Sequence, residues 1–174
     1  MPTKPRLNTG TAYKVTNGGQ ILDDVNVRLL AELQADPRIA MSALARQVGM
    51  SAPAVTERVQ RLEQSGVISG YALRVDPVAL GYPVTVFVRL KITTGRLDRF
   101  ATFVSTVPEV VECYRVTGED CFLIKVHIPS LDQLADLLDR FMMHGTTTSS
   151  VVVGTPVPTR SLPLPGVEEI EEVG

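Results

Sequence analysis

The sequence contains few of the residues that form disulfide frameworks and metal sites. Its 174 residues include two cysteines, two histidines and no tryptophan, and aromatic residues make up 5% of the total. If Gly118–Glu119 forms a tight hairpin turn, Cys113 and Cys121 point to opposite faces of the resulting sheet. The spacing of the cysteines and histidines does not match a zinc motif. We therefore expect neither a disulfide nor a bound metal.

Long apolar runs and an excess of one charge are also absent. No stretch approaches the roughly 18 to 20 apolar residues that cross a bilayer, and the opening residues, MPTKPRLNTG, lack the apolar run of a secretory signal. Lysine and arginine total 17 against 19 aspartates and glutamates, which gives a formal net charge of -2. The composition is typical of a soluble globular protein, so we expect a cytoplasmic location and no membrane partner.

The common catalytic signatures are missing as well. The chain has no GxSxG nucleophile elbow, no glycine-rich phosphate loop and no HExxH zinc motif. Neither cysteine has a basic neighbour in the sequence that would clearly activate it as a nucleophile. We therefore expect that the protein is not an enzyme and uses no cofactor.

Two short amphipathic helices separated by a glycine dominate the first half of the chain. Apolar side chains recur at helical spacing on both sides of Gly49, which supplies the backbone freedom for a sharp turn. Ser51 is placed to cap the second helix, and Pro53 is tolerated in a first helical turn. A preceding helix, capped by Asp23 and ending near Ala35, completes a three-helix head. The two apolar stripes comprise Leu44, Ala45 and Val48, and Val55, Val59 and Leu62.

The outward face of the second of these helices predicts contact with the major groove of duplex DNA. Its first part carries small residues that allow close approach to base edges, and Thr56 and Gln60 can form hydrogen bonds there. Arg58 and Arg61 can meet phosphates or guanine. The same pattern also fits a plain structural pair of helices or a protein-interaction module. The predicted DNA-binding residues are Ser51, Ala52, Pro53, Ala54, Thr56, Glu57, Arg58, Gln60 and Arg61.

The segment Val67–Val75, with Gly70 inside it, predicts a short β-wing whose tip contacts the DNA backbone. Charge is a weaker indicator, because the head contains as many acidic as basic residues between Leu22 and Arg74. Several of the acids lie on the first helix, away from the groove. We therefore expect a net positive recognition side on a neutral domain.

Composition divides the chain into five segments. Residues 1–20 contain basic residues and no acidic ones, which indicates a flexible basic arm. The arm either follows the DNA backbone or has no binding role. Residues 21–75 form the winged helix-turn-helix domain, and residues 76–82, bounded by proline and glycine, form a linker. Residues 83–158 form a second domain, and residues 159–174 form an acidic tail.

The second domain has the pattern βαββαβ, which predicts a ferredoxin-like fold and an α+β protein. One broad apolar face on the second helix, capped by Ser130, packs on one side of the sheet. The other side still presents Phe87 between Thr85 and Arg89, so we expect a second copy of the chain to cover it. The predicted strands are 84–92, 110–116, 122–128 and 150–153, and the predicted helices are 97–105 and 131–144.

Several of these segments together carry a family resemblance. They include Leu22-Asp23, Leu44-Ala45, Val48-Gly49-x-Ser51, Arg58-Val59, Leu62-Glu63, Gly66-Val67-Ile68, and Asp76-Pro77 with Leu80-Gly81. With them the chain resembles the Lrp/AsnC family, also called feast/famine regulators, over about residues 21–155. The resemblance implies that the second domain senses amino acids and dimerises through its sheet. It also implies that dimers assemble further into tetramers or octamers.

The ligand region implied by the resemblance departs from the family pattern. The family often has a carboxylate where this chain has Cys121, and Asp120 stands one residue earlier. A ligand ammonium therefore loses its partner. Thr147 and Ser149 align with a threonine-rich entry to the last strand and either hold a ligand carboxylate or satisfy the strand end. The candidate ligand-binding residues are Gly118, Asp120, Cys121, Thr147 and Ser149.

These observations favour a sequence-specific DNA-binding transcriptional regulator whose activity responds to an amino acid or related metabolite. The expected partners are double-stranded DNA, further copies of the chain and a small-molecule effector. One alternative is an architectural oligomer that binds DNA without an effector. Another is a regulatory subunit of an amino-acid metabolic enzyme, since ferredoxin-like domains also serve that role.

Overall fold

The computed structural model describes residues 21–92, Gly95 and 97–165, and these residues divide into two compact units. One unit contains the described residues up to Ala72 together with those from Thr159 onwards, and the other spans Leu73–Pro158. The predicted basic arm and the end of the predicted acidic tail lie outside the described residues. The early part of that tail belongs to the first unit, where the Gln34 side-chain amide donates to the Leu162 carbonyl at 3.4 Å.

The first unit contains the three predicted helices. They are α1 (Asp24–Ala35), α2 (Met41–Val48) and α3 (Ala52–Gln64). Their inward stripes meet in one apolar cluster, as the helical spacing of the sequence requires. The predicted stripes of α2 and α3 are confirmed. The buried residues of this unit include Leu29, Leu33, Leu44, Ala45, Val48, Val55, Val59 and Leu62.

The ends of these helices follow the predicted signals with one exception. The Asp23 carboxylate caps α1 by accepting the Asn26 backbone N–H at 2.7 Å. Gly49 ends α2 at φ 71°, in the left-handed region that favours glycine and permits the sharp turn into α3. Ser51 occupies the cap position of α3, but its hydroxyl forms no capping hydrogen bond.

The predicted β-wing is wrong, because Val67–Val75 contains no strand. The chain instead turns back along α3: the Ile68 N–H donates to the Leu62 carbonyl, and the Tyr71 hydroxyl donates to Glu63. Ile68 then packs against the apolar cluster of the head. An isolated hairpin with arms this short is only marginally stable in water, so the segment forms these contacts with α3 instead.

The second unit has the predicted βαββαβ order. Its elements are β1 (Val84–Lys91), α4 (Leu97–Val104), β2 (Val110–Arg115), β3 (Phe122–Ile128), α5 (Asp132–Met142) and β4 (Thr146–Val151). The strands form one antiparallel sheet in the order β2-β3-β1-β4. Cys113 lies opposite Ile124, and Cys121 follows the Gly118 turn, which confirms the predicted hairpin register. Both thiols are unpaired.

Alternate residues of the central strands are buried under α4 and α5. Within β1 and β3, every second side chain is buried, in the period expected of a sheet packed on one face. Phe100 of α4 and Phe141 of α5 contact each other edge to face within this core, at a ring separation of 5.9 Å. The main members of the core are Val86, Val88, Leu90, Phe100, Phe122, Ile124, Val126, Ile128, Leu137 and Phe141.

The main differences from the prediction in the second unit are the span of the last strand and the cap of α5. The last strand begins at Thr146 and ends at Val151, so the predicted span 150–153 captures only its end. Its threonines and serines lie on an edge strand with one side unpaired, where apolar alternation is not required. Helix α5 begins after Leu131 without a side-chain cap, so the predicted Ser130 cap is also wrong.

Gly145 allows the chain to pass close to the end of β1. A β-carbon added at Gly145 would overlap the carbonyl oxygen of Lys91, whereas one added at Gly154 would meet nothing within 4 Å. Neither glycine has the positive φ that disfavours other residues. Gly145 and Gly154 therefore differ only in the space available for a side chain.

We expect Gly145→Ala to lower the free energy of unfolding by about 1 to 3 kcal/mol, because the new methyl group forces β4 away from β1. Gly154→Ala is the matched control and should be neutral or slightly stabilising, since it only restricts the unfolded chain. Urea unfolding of both variants followed by circular dichroism tests this. Equal stabilities for the two variants would contradict the close approach.

Candidate nucleic-acid interface and ligand region

Helix α3 presents a polar surface opposite its buried stripe. Pro53, Glu57, Gln60 and Arg61 are exposed, and Ala52, Ala54 and Thr56 are partly exposed. The small residues stand at the start of the helix, preceded by exposed Ser51. The structure therefore brings most of the predicted DNA-binding residues together on one accessible face. Thr56 also donates its hydroxyl to the Ala52 carbonyl at 2.9 Å, a local contact that orients its oxygen along the helix.

The charged residues of this face are paired with each other. The Arg61 guanidinium forms an ion pair with the Glu57 carboxylate one helical turn earlier. Both side chains are well exposed, at 72% and 64%. An exposed pair of this kind contributes little to stability. Arg61 can therefore leave Glu57 and bind another anion with little loss of free energy.

Arg58 faces the start of α1. Its guanidinium donates to the Asp23 carboxylate at 2.7 Å and to the Asn26 side-chain oxygen at 3.0 Å. Asn26 is 9% exposed, and its amide nitrogen donates to the Ile21 carbonyl at 2.6 Å. Arg58 therefore fixes the orientation of α3 relative to α1, a role that the sequence analysis did not foresee. The signal available was Asn26, a polar residue on the apolar side of an amphipathic helix.

The same contacts shift the acidity of Asp23. The hydrogen bond from Arg58 lowers the pKa of this carboxyl below its usual value of 3.8, and the hydrogen bond from the Asn26 backbone lowers it further. A lowered folded-state pKa stabilises the fold above the unfolded-state value, and this stabilisation is lost as the pH falls through the folded-state value.

The candidate ligand residues gather at the end of β1. The Cys121 backbone N–H donates to the Leu90 carbonyl at 2.8 Å, and Thr147 of β4 lies opposite Leu90 on the other side. The Cys121 thiol accepts the Ile92 N–H at 3.5 Å. Cys121 and Thr147 thus flank one stretch of the β1 backbone.

The remaining candidates lie nearby but are not equivalent. Gly118 adopts φ 113° at the hairpin turn, where a side chain would be strained. Asp120 lies 3.9 Å from the Arg89 guanidinium across the strand pair. Ser149 pairs with Val88, which lies farther from the end of β1 than Leu90, the partner of Thr147. The only acidic residue among the candidates therefore already faces a cation.

The open face of the sheet, opposite α4 and α5, carries a polar network. Lys125 forms an ion pair with Glu112 at 3.1 Å, and the Tyr114 hydroxyl donates to Glu112 at 2.7 Å. The hydroxyl of Thr85 lies 3.0 Å from His127 Nδ1. Desolvation lowers the pKa of His127, and the Tyr114 hydrogen bond lowers the pKa of Glu112. The sequence analysis did not identify this network, because its members come from three strands.

The described residues contain neither a membrane-spanning helix nor a metal-binding cluster. No helix among them is both long and apolar enough to traverse a bilayer. No group of three or more histidine, cysteine, aspartate or glutamate side chains in this part of the chain is arranged to hold a metal ion.

Comparison with known proteins identifies both units. Residues 22–63 match the AsnC-type helix-turn-helix domain, and residues 85–162 match the Lrp/AsnC ligand binding domain. The HTH-type transcriptional regulator LrpC of Bacillus subtilis is 34% identical over 131 residues, covering 75% of this chain and 91% of LrpC.

Solved structures agree with these matches. The structure of B. subtilis LrpC aligns with a TM-score of 0.75 at 32% identity, covering 80% of this chain and 99% of that one. The transcriptional regulator NMB0573 from Neisseria meningitidis, solved as a complex with L-Met, aligns with a TM-score of 0.75 at 27% identity, covering 82% of this chain and 96% of that one.

We expect Asp23→Ala to lower the free energy of unfolding by about 1 kcal/mol near pH 7, because it removes the cap of α1 and the partner of Arg58. The difference from the unmodified protein should shrink below pH 3.8 as Asp23 takes up a proton. Asp24→Ala, which removes an exposed carboxylate from the same turn but leaves the Arg58 contact, is the control. Urea unfolding across this pH range measures both, and a difference independent of pH would contradict the assignment.

Proposed function

Because the chain belongs to the Lrp/AsnC family of helix-turn-helix transcriptional regulators, it binds DNA, and we propose that the outward face of α3 enters the major groove. The exposure of this face and its small N-terminal residues support the proposal. Ser51, Ala52, Pro53 and Ala54 allow the helix to approach the bases closely. The proposed contacts beyond them are Thr56, Glu57, Gln60 and Arg61.

Within this face the side chains have different roles. Gln60 presents a carboxamide that pairs with adenine, and Arg61 exchanges Glu57 for a phosphate or for guanine. Glu57, no longer paired with Arg61, can then accept a hydrogen bond from a cytosine amino group. Alternatively, its negative charge repels nearby DNA phosphates. Arg58 acts as a positioning residue, because its guanidinium already binds Asp23 and Asn26.

Arg61→Ala is expected to weaken DNA binding by about 1 to 3 kcal/mol if Arg61 contacts a base, and by less, equally for all sequences, if it contacts phosphate. In the second case the dependence of affinity on salt should also decrease. Titration of the chain's own promoter DNA at several salt concentrations distinguishes these cases. Arg99→Ala removes an exposed arginine on α4 and serves as the control. Unchanged binding in both Arg61→Ala and Gln60→Ala would contradict the orientation of α3.

As a member of this family the protein acts as an oligomer, and we propose that the open face of the sheet is a contact between copies. Phe87 lies half-buried at the centre of that face, on the central strand β1. A second copy would bury it together with the network around Glu112 and Lys125. Assembly into tetramers or octamers stays a prediction.

The second unit is a ligand-binding domain, and we propose that its ligand is an amino acid or a related metabolite. The L-Met complex of the Neisseria relative supports this class of ligand. At the end of β1, the hydroxyls of Thr147 and Ser149 can hold a ligand carboxylate. Asp120 is engaged with Arg89, and Cys121 is a thiol and not a carboxylate, so a ligand ammonium there has no carboxylate of its own.

This hairpin region should therefore favour a carboxylate ligand without an ammonium group. We expect titration calorimetry to show that 4-methylpentanoate binds, that Thr147→Val weakens this binding, and that Asp120→Asn leaves it unchanged. L-Leucine, which adds the ammonium, is the matched ligand. Tight L-leucine binding that Asp120→Asn abolishes would contradict the proposal, because it would place the ammonium against Asp120.

Two other expectations stay predictions. Residues 1–20 are proposed as a basic arm that follows the DNA backbone, and their net positive charge supports the proposal. A cytoplasmic location is proposed because the DNA that a regulator binds lies there.

A further inference from the structure

The open face of the sheet carries His127, one of the two histidines of the chain. His127 lies on β3, and its Nδ1 is 3.0 Å from the hydroxyl oxygen of Thr85 on the neighbouring strand β1. The nearby side chains of this face, Phe87 and Lys125, are half-buried like His127 even in a single chain. The imidazole is therefore partly shielded from water before any other molecule covers it.

The strands around His127 bring one cation and one carboxylate close to it. Lys125 stands two residues earlier on β3, which places it on the same face of the sheet. Glu112 of β2 lies opposite Lys125. On the other side, β1 contributes the uncharged side chains of Thr85 and Phe87. The charge nearest to the imidazole along its own strand is therefore positive.

The other charged groups of the open face are farther from His127 and form pairs of their own. Arg89 lies four positions along β1 from the strand partner of His127, a separation of about 13 Å, and faces Asp120 at 3.9 Å. Lys91, farther still, lies 4.0 Å from Glu119. The residues that β4 places on this face carry no charge. They are Thr146, Thr148 and Ser150.

Both carboxylate oxygens of Glu112 already accept hydrogen bonds from other groups. Oε1 accepts from the Lys125 ammonium at 3.1 Å, and Oε2 accepts from the Tyr114 hydroxyl at 2.7 Å. The backbone carbonyl of Glu109 accepts the His127 N–H, but the Glu109 carboxylate is paired with an arginine of α5. A proton on the imidazole therefore adds a positive charge that neither of these carboxylates is free to balance.

These surroundings keep the imidazole neutral near pH 7. Desolvation lowers the pKa of His127 below its usual value of 6.5, the charge of Lys125 lowers it further, and the charge of Glu112 opposes the shift. The hydrogen bond from Tyr114 holds the pKa of Glu112 below its usual value of 4.5. Between about pH 5 and pH 8, His127 is therefore the group of this network that changes its charge.

A second copy of the chain on the open face would desolvate His127 further. The pKa of the imidazole would then be lower in the paired state than in the single chain, because burial disfavours the charged form. Pairing is strongest above the single-chain pKa and weakens as the pH falls below it, until the pH reaches the pKa of the paired state. Two-fold pairing covers two imidazoles, so the dissociation constant rises by up to about 100-fold per pH unit within that window.

We propose that protonation of His127 weakens the pairing of copies through the open face, so that assembly of the protein responds to pH between about 5 and 7. The proposal rests on the proposed contact between copies at that face. Separation of the copies also lowers the affinity for DNA, because a helix-turn-helix dimer binds two half-sites at once. A single histidine would thereby connect the pH to DNA binding.

Sedimentation velocity of the full chain in a concentration series between about pH 5 and pH 8, at constant ionic strength, tests the proposal. We expect the dissociation constant of the pair to rise about tenfold or more from the upper to the lower end of this range. His127→Gln keeps a hydrogen-bonding side chain beside Thr85 but takes up no proton, so its pairing should not change with pH.

His144→Gln is the matched control, because it removes the only other histidine of the chain, which stacks on Phe103 of α4 at 4.6 Å. This variant should keep the pH response of the unmodified protein. Circular dichroism at each pH verifies that every variant is folded.

A dissociation constant that stays the same across the range would overturn the proposal, as would a pH response that persists in His127→Gln or is lost in His144→Gln. Phe87→Glu tests the contact itself, because it places a carboxylate at the centre of the open face. If Phe87→Glu still pairs at the upper end of the range, the open face is not the contact and both proposals fail. If Phe87→Glu separates the copies while His127→Gln retains the pH response, the contact stands and only the pH proposal fails.

Discussion

The contact of Arg58 with Asp23 and Asn26 determines how the DNA-binding unit presents its outer helix. The apolar cluster holds the three helices together, and hydrophobic burial by itself is not directional. The charged hydrogen bonds to Asp23 and the bond to buried Asn26 are directional, and they connect α3 to the first turn of α1. With its inward side fixed in this way, α3 presents Pro53, Gln60 and Arg61 outward as one surface.

In the second unit, the corresponding constraint is a sheet whose helices cover only one of its two faces. Helices α4 and α5 cover only one side of the sheet, and the other side carries Phe87 together with the network around Glu112 and Lys125. We propose that another copy of the chain covers this uncovered face of the sheet. We propose that a small-molecule ligand binds the same unit in the hairpin region at the end of β1.

Periodicity in the sequence was sufficient to predict the three helices, the βαββαβ order and the hairpin register at Cys113. It failed where contacts across the fold decide the outcome. Val67–Val75 has the composition of a hairpin, but Ile68 and Tyr71 find partners on α3. Thr146 and its neighbours form an edge strand without an apolar pattern. For the candidate interface, helical spacing was sufficient to predict which α3 residues are exposed. The contacts of Arg58 with Asp23 and Asn26, by contrast, depend on residues distant in the chain.

The central claim is that paired copies of this chain insert their α3 helices into successive major grooves of the same DNA. Hydroxyl-radical footprinting of the purified protein on its own promoter region tests it most directly. We expect protected segments on one face of the duplex, with centres separated by about 10 base pairs or a multiple of that distance. A single isolated protected segment, or protection without helical periodicity, would contradict it.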